Sequence, residues 1–521
     1  MSAPGDRPAG GQARLLAAGS LVQQAAQVTG LLGMFAIITV LARRLTLSEL
    51  GIYGLLTSLS GYLLVVQNAG AGAVVRAMAA AGDARRRASA FSTAAALYAL
   101  AGLASGVVLA AVGVALAQGI SLPGAVREQA RIGALLLGLV TAVGWPATVY
   151  RDALRADQRF VRAALTEIAA LLAYVALVLA LVYGGAALDL VIGASAGIPL
   201  LVGIGSAFVA RASRVPFRFD PAGITRAEGR EILGLAGYLS LTEGAATAIY
   251  AIDRAILGLF KSAATVGLFE GPVRAHNLVR ALNAAVTVTV LPTSSRYDAA
   301  GDRRRLRELL LRGTRYTLAL IVPIAVTGMV LGGPVLAVWL GHRFSGAGGA
   351  MAILMSHWLV NGCSGLLTAT LVGVGRAPVV ARYAVAVAIG NVVLALALTA
   401  PLGLEGVAIA TAGPYLAMFP VLLGAALRAV PLPPRRLVSE ALLPAWSLGA
   451  ALAAALGALR LAAHPTTLGA VAAAAVGGVA AYWLAFYVLW LRPAERELVR
   501  EVALGLLPAR VGGAPARSAR R

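Results

Sequence analysis

Apolar stretches long enough to cross a lipid bilayer recur from one end of the chain to the other. Each stretch holds about 20 residues, the length of a transmembrane helix, and is bounded by charged residues, glycine or proline. The pattern therefore predicts an all-α polytopic membrane protein with about 14 transmembrane helices. The predicted spans cover residues 18–41, 50–75, 89–117, 131–150, 163–183, 188–210, 233–259, 272–292, 314–340, 350–374, 378–400, 405–427, 438–461 and 467–491.

Basic residues are distributed unevenly between the loops that separate these spans. Alternate loops, beginning with the N-terminal segment, hold 33 of the 44 arginine and lysine residues, whereas the opposite loops hold 7 and the spans 4. Because arginine and lysine concentrate in cytoplasmic loops, both ends of the chain are predicted to be cytoplasmic. We expect the protein in the cell inner (cytoplasmic) membrane.

A weak internal repeat divides the spans into two groups of six. Residues 45–54 have a counterpart 216 residues later, at 261–270, where a glycine, an aliphatic and an aromatic residue coincide. Each copy leads into the second helix of a six-helix unit, as in transporters built from parallel repeats. The predicted organisation is a cytoplasmic N-terminal tail at 1–17, six-helix lobes at 18–210 and 233–428 joined by a cytoplasmic linker at 211–232, two additional transmembrane helices at 429–491 and a basic cytoplasmic tail at 492–521.

Composition and charge agree with a membrane protein and remove other classes. Hydrophobic residues make up 59% of the chain and charged residues 13%, about half of what soluble proteins carry. The net charge of +22 is explained by the arginine-rich loops, so nucleic acid is not a predicted partner. The single cysteine, Cys363, cannot form an intramolecular disulfide.

Enzyme signatures are missing from the sequence. It contains no HExxH, GxxxxGK[ST] or GxSxG motif and no paired acidic motif on a loop. We therefore predict that the protein is not an enzyme and has neither a metal nor a cofactor. An integral-membrane polysaccharide polymerase or ligase remains the alternative from another functional class.

Polar residues form stripes on several apolar spans, where buried polar groups are costly and often functional. Interhelical hydrogen bonding is the competing explanation for each stripe. The residues expected to line a cavity are Gln23 and Gln27 of the first span, Asn68 of the second, Thr247 and Tyr250 of the seventh, His276, Asn277 and Asn283 of the eighth, and His357 and Asn361 of the tenth.

Charged residues are concentrated in the seventh and eighth spans. Arg254, Arg274 and Arg280 suit an anion such as a phosphate or diphosphate, because guanidinium groups bind such anions bidentately. Glu243 and Asp253 are candidates for ion coupling, by a proton or sodium. Two alternatives remain: Glu243 as a static counter-ion and Asp253 as the neutralising partner of an arginine.

Several short motifs, in their order and spacing, resemble polysaccharide-biosynthesis flippases of the multidrug/oligosaccharidyl-lipid/polysaccharide exporter superfamily. The resemblance covers residues 15–428. It rests on LARRL at 41–45, ELGIYG at 49–54, NAGAG at 68–72 with Arg76, DRAILG at 253–258, VGLF at 266–269, LP at 291–292, SSR at 294–296 and LEGVAIAT at 404–411.

The resemblance implies two six-helix lobes around a central cavity that opens alternately to either side. It implies transport of undecaprenyl-diphosphate-linked oligosaccharide for O-antigen, capsule or exopolysaccharide synthesis, coupled to protons or sodium. Partners would be the polymerase and glycosyltransferases of the same pathway. Asn68 departs from the acidic residue often found there in the family. A multidrug and toxin extrusion-type antiporter is the alternative transporter.

Overall fold

The computed structural model describes residues 29–287 and 289–503, apart from the side chains of residues 62, 65, 69, 238–251, 498, 502 and 503. These residues form helices joined by short turns, and no strand occurs among them. The first half comprises α1 (29–44), α2 (Leu47–Ala80), α3 (Ala84–Gly119), α4 (Gly124–Ala147), α5 (Val149–Ala156), α6 (Phe160–Tyr183), α7 (Leu188–Ala194) and α8 (Gly197–Ala212).

The second half and the C-terminal region continue the helical pattern. The second half comprises α9 (Arg226–Phe260), α10 (Ala263–Thr287), α11 (Val290–Ala299), α12 (Arg303–Leu340), α13 (Gly348–Ser356), α14 (Trp358–Asn361), α15 (Ser364–Gly373), α16 (Ala377–Leu402) and α17 (Leu404–Ala429). The C-terminal region comprises α18 (Pro434–Leu437), α19 (Leu443–Ala463), α20 (Leu468–Leu489) and α21 (Pro493–Ala503).

Nine segments of the described chain are long and apolar enough to cross a membrane, and eleven if each of two bent helix pairs counts as one span. The all-α polytopic fold predicted from the sequence is thereby confirmed. The three other predicted spans fall on α1, α9 and α10, which are helical over their described residues. The count of fourteen stays a prediction, as do the domain boundaries.

Side-chain caps fix where several long helices begin. At the start of α2, the Thr46 amide donates to Glu49 Oε2 at 2.7 Å, and the Glu49 amide donates back to Thr46 Oγ1. The Asp83 carboxylate accepts from the Arg86 amide at 2.7 Å and caps α3. Such caps satisfy amides that have no partner inside the helix, so these turns are defined by local sequence.

Helices α2 and α10 cross at two glycines that are equivalent in the internal repeat. A Cβ atom added at Gly51 would overlap the carbonyl oxygen of Ala263, and one added at Gly267 would overlap that of Leu47. Both pairs are related by the 216-residue repeat, so equivalent residues contact each other reciprocally, as across a two-fold axis. The predicted repeat therefore has a structural counterpart at the junction of the halves.

The C-terminal helices α19 and α20 pack against α12 and its neighbours. Trp446 donates its indole N–H to the Leu359 carbonyl at 2.8 Å, and Trp483 donates to the Ala319 carbonyl at 3.0 Å. A Cβ atom at Gly449 would lie 2.7 Å from Val322 Cγ1, so the small residue permits close approach. These two helices thus extend the second half.

Candidate transport site

The buried charges of α9 and α10 are organised around one carboxylate, Glu270. Glu270 Oε1 accepts from Arg254 Nε at 2.6 Å, and Oε2 accepts from Arg274 Nε at 3.2 Å. Its side chain is 0% exposed, against 8% for Arg254 and 20% for Arg274. Gly54 of α2 lies directly against the carboxylate, where a Cβ atom would overlap Oε1. The cluster therefore joins α9 and α10 where α2 covers them.

Two of the three predicted anion ligands, Arg254 and Arg274, are therefore bound to a carboxylate of the protein itself. Arg254 and Arg274 share one negative charge, so the cluster carries an excess positive charge in a desolvated region. Glu270 was not among the predicted site residues, because the predicted eighth span began at residue 272, whereas α10 begins at Ala263. The i, i+4 spacing of Glu270 and Arg274 on one helix was the signal that could have found the pair.

Arg280, the third predicted anion ligand, is placed differently from the other two. It lies ten residues beyond Glu270, about 15 Å along α10. Its side chain is exposed, while Asn277 is half-buried and Asn283 is buried. Asn68 of α2 is also exposed. Arg280 is thus the predicted ligand that is accessible in this conformation.

The polar stripes of the eighth and tenth spans meet in a buried cluster of rings. The rings of His276 and His357 are 5.1 Å apart, and Trp358 Nε1 donates to His276 Nδ1 at 3.2 Å. The His357 ring stacks on Tyr415 of α17 at 5.5 Å. His357 lies where the tenth span breaks between α13 and α14. The two histidines, like Asn361, are buried rather than accessible in this conformation.

Asp253 lies in a second buried polar site, between α9, α16 and α17. Its Oδ1 accepts from Asn391 Nδ2 at 3.2 Å, and its Oδ2 accepts from Thr411 Oγ1 at 2.7 Å. Asn391 Oδ1 is buried and accepts no hydrogen bond from a described residue. The sequence-adjacent Arg254 bonds to Glu270 instead. The site therefore brings an amide N–H and a hydroxyl from two other helices onto a carboxylate whose hydrogen-bond donors are neutral.

A buried carboxylate with only neutral hydrogen-bond donors suits a proton or a small hard cation. Carboxylate, amide and hydroxyl oxygens are the ligands that hard cations prefer. Sequence analysis named Asp253 but neither Asn391 nor Thr411. They lie 138 and 158 residues from Asp253 along the chain, and no local spacing predicts such a contact.

The two halves are tied together at the end of the bundle where α1 and α12 end. Arg43 Nη2 donates to the Val338 carbonyl at 2.9 Å, and Arg343 donates in return to the Ala42 and Leu45 carbonyls. Trp339 Nε1 donates to Thr39 Oγ1 at 2.7 Å. Each arginine thus caps the C-terminal end of a helix in the opposite half. We call this set of hydrogen bonds the gate contact.

Five predicted site residues cannot be placed. The side chains of Glu243, Thr247 and Tyr250, on α9, lie outside the described part, as do Gln23 and Gln27 as whole residues. Their predicted roles stay predictions.

Comparison with known proteins identifies the family. The sequence profile of a family described as "Polysaccharide biosynthesis protein" matches residues 40–347. The chain belongs to this polysaccharide biosynthesis protein family. The match runs from the end of α1 through α12 and includes Asp253, the Glu270 cluster and both arginines of the gate contact. The family resemblance inferred from the short motifs is confirmed.

Two curated relatives in Haloferax volcanii match this polysaccharide biosynthesis protein. "Probable low-salt glycan biosynthesis flippase Agl15" is 22% identical over 161 residues, 31% of this chain and 34% of the relative. "Probable flippase AglR" is 31% identical over 105 residues, 20% of this chain and 22% of the relative. The alignments therefore span about a third and a fifth of the relatives' lengths.

Solved transporters share the fold of this polysaccharide biosynthesis protein. The "Lipid II flippase MurJ, inward closed conformation" aligns with a TM-score of 0.68 and 14% identity, over 92% of this chain and 99% of its own. An inward-facing multidrug resistance MATE family transporter of the MOP superfamily aligns with a TM-score of 0.66 and 15% identity, over 78% of this chain and 98% of its own. At this identity the likeness concerns the fold.

Proposed function

We propose that the protein is a flippase that moves an undecaprenyl-diphosphate-linked oligosaccharide across the cytoplasmic membrane for surface-polysaccharide synthesis. The observation that carries the proposal is the excess of positive charge on two adjacent membrane helices, α9 and α10, in a member of the polysaccharide biosynthesis family. A diphosphate is the part of such a substrate that needs cationic partners inside an apolar bundle.

Arg280 makes the first contact with the diphosphate in this proposal. It is exposed, whereas Arg254 and Arg274 are held by Glu270. The excess charge of the Glu270 cluster then attracts the anion along α10, and a rearrangement of the halves would let Arg254 and Arg274 join the site. Asn68 and Asn277 would line the path as neutral hydrogen-bonding groups.

We infer that Asp253 is the coupling site, with Asn391 and Thr411 as its partners. A proton or a sodium ion bound among their oxygen atoms would bias the equilibrium between the two access states. Glu243, on the same helix, is a second candidate for this role.

The gate contact faces the outside of the cell in this proposal. The first turn of α3 carries Arg85, Arg86 and Arg87, which the positive-inside rule assigns to the cytoplasm, so the opposite end is external. With Cys363 replaced by alanine, we expect an impermeant thiol reagent to label Lys261→Cys but not Gly82→Cys in intact cells. The reverse pattern would place the gate contact inside.

The alternative transporter is a multidrug and toxin extrusion-type antiporter, whose fold the chain shares. The arginines of α9 and α10 disfavour a cationic drug, because their charge would repel it. A polymerase or ligase is the alternative of another class, and sugar transfer by the purified protein would favour it. A polymerase and glycosyltransferases of the same pathway are the proposed partners.

Variants of Arg280 test the proposed substrate contact. In cells that depend on this protein for polysaccharide export, Arg280→Ala should reduce export by on the order of a hundredfold, since a charge-assisted contact is worth about 1.5–3 kcal/mol. Arg280→Lys should rescue it partly, because lysine lacks the planar fork. Arg226→Ala, an exposed arginine at the start of α9, is the matched control. Full export by the Arg280→Ala variant at normal protein level would exclude Arg280 as a substrate contact.

A further inference from the structure

A groove in the second half holds a charge arrangement that the proposed transport path does not use. A cavity of about 620 Å³ lies between the end of α15, the start of α16 and the end of α17. Three arginines line it, Arg376, Arg382 and Arg428. Lys261 follows α9 at the end of the bundle that carries the gate contact. Because α17 begins beside Lys261 and ends in the groove, the groove lies at the opposite end of the bundle.

The three arginines have no acidic partner in the described part of the chain. None of them forms an ion pair, and no aspartate or glutamate lines the groove. Some arginines elsewhere on the surface do have an acidic partner, as Arg303 has Asp298 at 3.2 Å and Arg436 has Glu440 at 2.6 Å. The groove therefore concentrates uncompensated positive charge that an anion would stabilise.

The remaining walls of the groove are mainly apolar. Aliphatic side chains such as Val379, Met418 and Leu422 form them. From the groove, α16 continues into the bundle with Val385, Ile389 and Val393 exposed at four-residue spacing. Exposed aliphatic residues on one face of a membrane helix are in contact with lipid chains. A basic rim above an apolar strip matches an amphiphile with an anionic head.

We propose that this groove binds an anionic phospholipid of the cytoplasmic leaflet, with its phosphate held by Arg376, Arg382 and Arg428. The acyl chains lie along the exposed face of α16. Clustered arginines at the membrane surface bind anionic head groups, and guanidinium groups bind phosphate oxygens bidentately. The site is separate from the proposed transport path, so it adds a lipid partner to the proposed function.

The first half carries a counterpart at the equivalent position. A cavity of about 680 Å³ lies beside the end of α8 and is lined by Arg211, Arg214 and Arg218. Arg211 plus the repeat of 216 residues falls next to Arg428, so both cavities lie at the end of the sixth helix of their repeat. The recurrence is limited to this one arginine, because the residues equivalent to Arg376 and Arg382 in the first half are Phe160 and Thr166.

Lipid binding can be measured on the purified full-length protein by native mass spectrometry after delipidation. Phosphatidylglycerol is added, and phosphatidylcholine serves as the zwitterionic comparison. We expect phosphatidylglycerol to bind more tightly, Arg382→Gln to weaken that binding about fivefold, and the triple Arg376→Gln, Arg382→Gln, Arg428→Gln variant to weaken it on the order of a hundredfold. The Arg303→Gln, Arg304→Gln, Arg305→Gln variant removes as much charge elsewhere and should bind as the parent does.

Several outcomes would overturn the proposal. The first is equal affinity for phosphatidylglycerol and phosphatidylcholine. The second is a loss of affinity in the Arg303→Gln, Arg304→Gln, Arg305→Gln control as large as in the groove variant. The third is unchanged affinity in the groove variants. Displacement of phosphatidylglycerol by a polyprenyl diphosphate but not by a second anionic phospholipid would assign the groove to substrate instead. Displacement by inorganic phosphate alone would make it a phosphate site. Because binding is read without transport, failure here is distinguishable from failure of the flippase proposal.

Discussion

Two carboxylates, Glu270 on α10 and Asp253 on α9, are buried in the same region of the second half, and their partners differ. Glu270 is held by Arg254 and Arg274 in close ion pairs. Asp253 accepts hydrogen bonds from the neutral groups of Asn391 and Thr411. In this conformation the first carboxylate is neutralised by arginines of the protein, whereas the second has only neutral hydrogen-bond donors and still requires a counter-charge or a proton.

We infer from this difference that Glu270 has a structural role and Asp253 a role in coupling. A buried acid paired to two arginines keeps its charge, because removing that charge would strand both cations. A buried acid with neutral partners is costly when charged and can gain a proton or a small cation. Position in an apolar helix is therefore not enough to assign function, and the partner atoms decide it.

Removing the charge of Glu270 should have the largest effect. Glu270→Gln leaves the buried Arg254 and the half-buried Arg274 without a counter-ion, which costs about 3–5 kcal/mol. We expect a large fall in the thermal unfolding temperature of the purified protein. Glu308→Gln is the control, because its pair with Arg304 is exposed and worth at most about 1 kcal/mol. Equal stability of the two variants would contradict a structural role for Glu270.

Removing the charge of Asp253 should affect coupling more than stability. Asp253→Asn keeps the shape of the side chain, so the purified protein should unfold near the parent temperature. In proteoliposomes with imposed proton or sodium gradients, the stimulation of transport by the effective gradient should fall by on the order of tenfold. An unchanged response would exclude Asp253 as the coupling site. Glu243→Gln, measured in parallel, decides between the two candidate carboxylates.

Removing the gate contact tests whether it holds α1 and α12 together at their C-terminal ends. The double variant Arg43→Ala, Arg343→Ala removes charge-assisted hydrogen bonds worth about 1.5–3 kcal/mol each and should favour separation of α1 and α12. Spin labels at Ser48 and His342 would report a longer distance in a larger fraction of molecules. Arg44→Ala is the control, since Arg44 lies over Tyr183 within the first half. An unchanged distance distribution would contradict the proposed gate.

A third carboxylate, Glu495 of α21, has a cationic partner as Glu270 does, but it lies at a partly exposed site. Burial alone would raise the pKa of Glu495, but hydrogen bonds from Tyr316 and the Arg492 amide and the charge of Arg315 outweigh it and lower the pKa. Because the folded pKa is lowered, docking of α21 is stabilised above the ordinary carboxylate range and weakened as pH falls through the lowered pKa.

Hydrogen exchange of α21 measures this smallest effect. Exchange should be slow at neutral pH and faster in acid, and Glu495→Gln should exchange fast at both. Protection in the variant equal to that of the parent at neutral pH would contradict a role for the Glu495 charge in docking.

The fold followed from the sequence more completely than the site did. Apolar periodicity located the helices, and the repeat at residues 51–53 and 267–269 was visible in the sequence, although the contact between Gly51 and Gly267 appears only in the fold. Glu270 was missed because the predicted eighth span began at residue 272, whereas α10 begins at Ala263 and continues through Pro272, as membrane helices tolerate an internal proline. The Asp253 partners come from helices far away in sequence, and only tertiary packing brings them together.

Reconstitution of the purified protein with a fluorescent undecaprenyl-diphosphate-linked oligosaccharide would show whether the protein moves this lipid between the two leaflets. Accessibility of the sugar to an enzyme added outside the vesicles would report its movement between leaflets. We predict that the parent protein moves the substrate much faster than empty vesicles do, and that Arg280→Ala abolishes this movement. Movement no faster than in empty vesicles, together with gradient-driven uptake of a cationic drug by the same preparation, would contradict the flippase proposal.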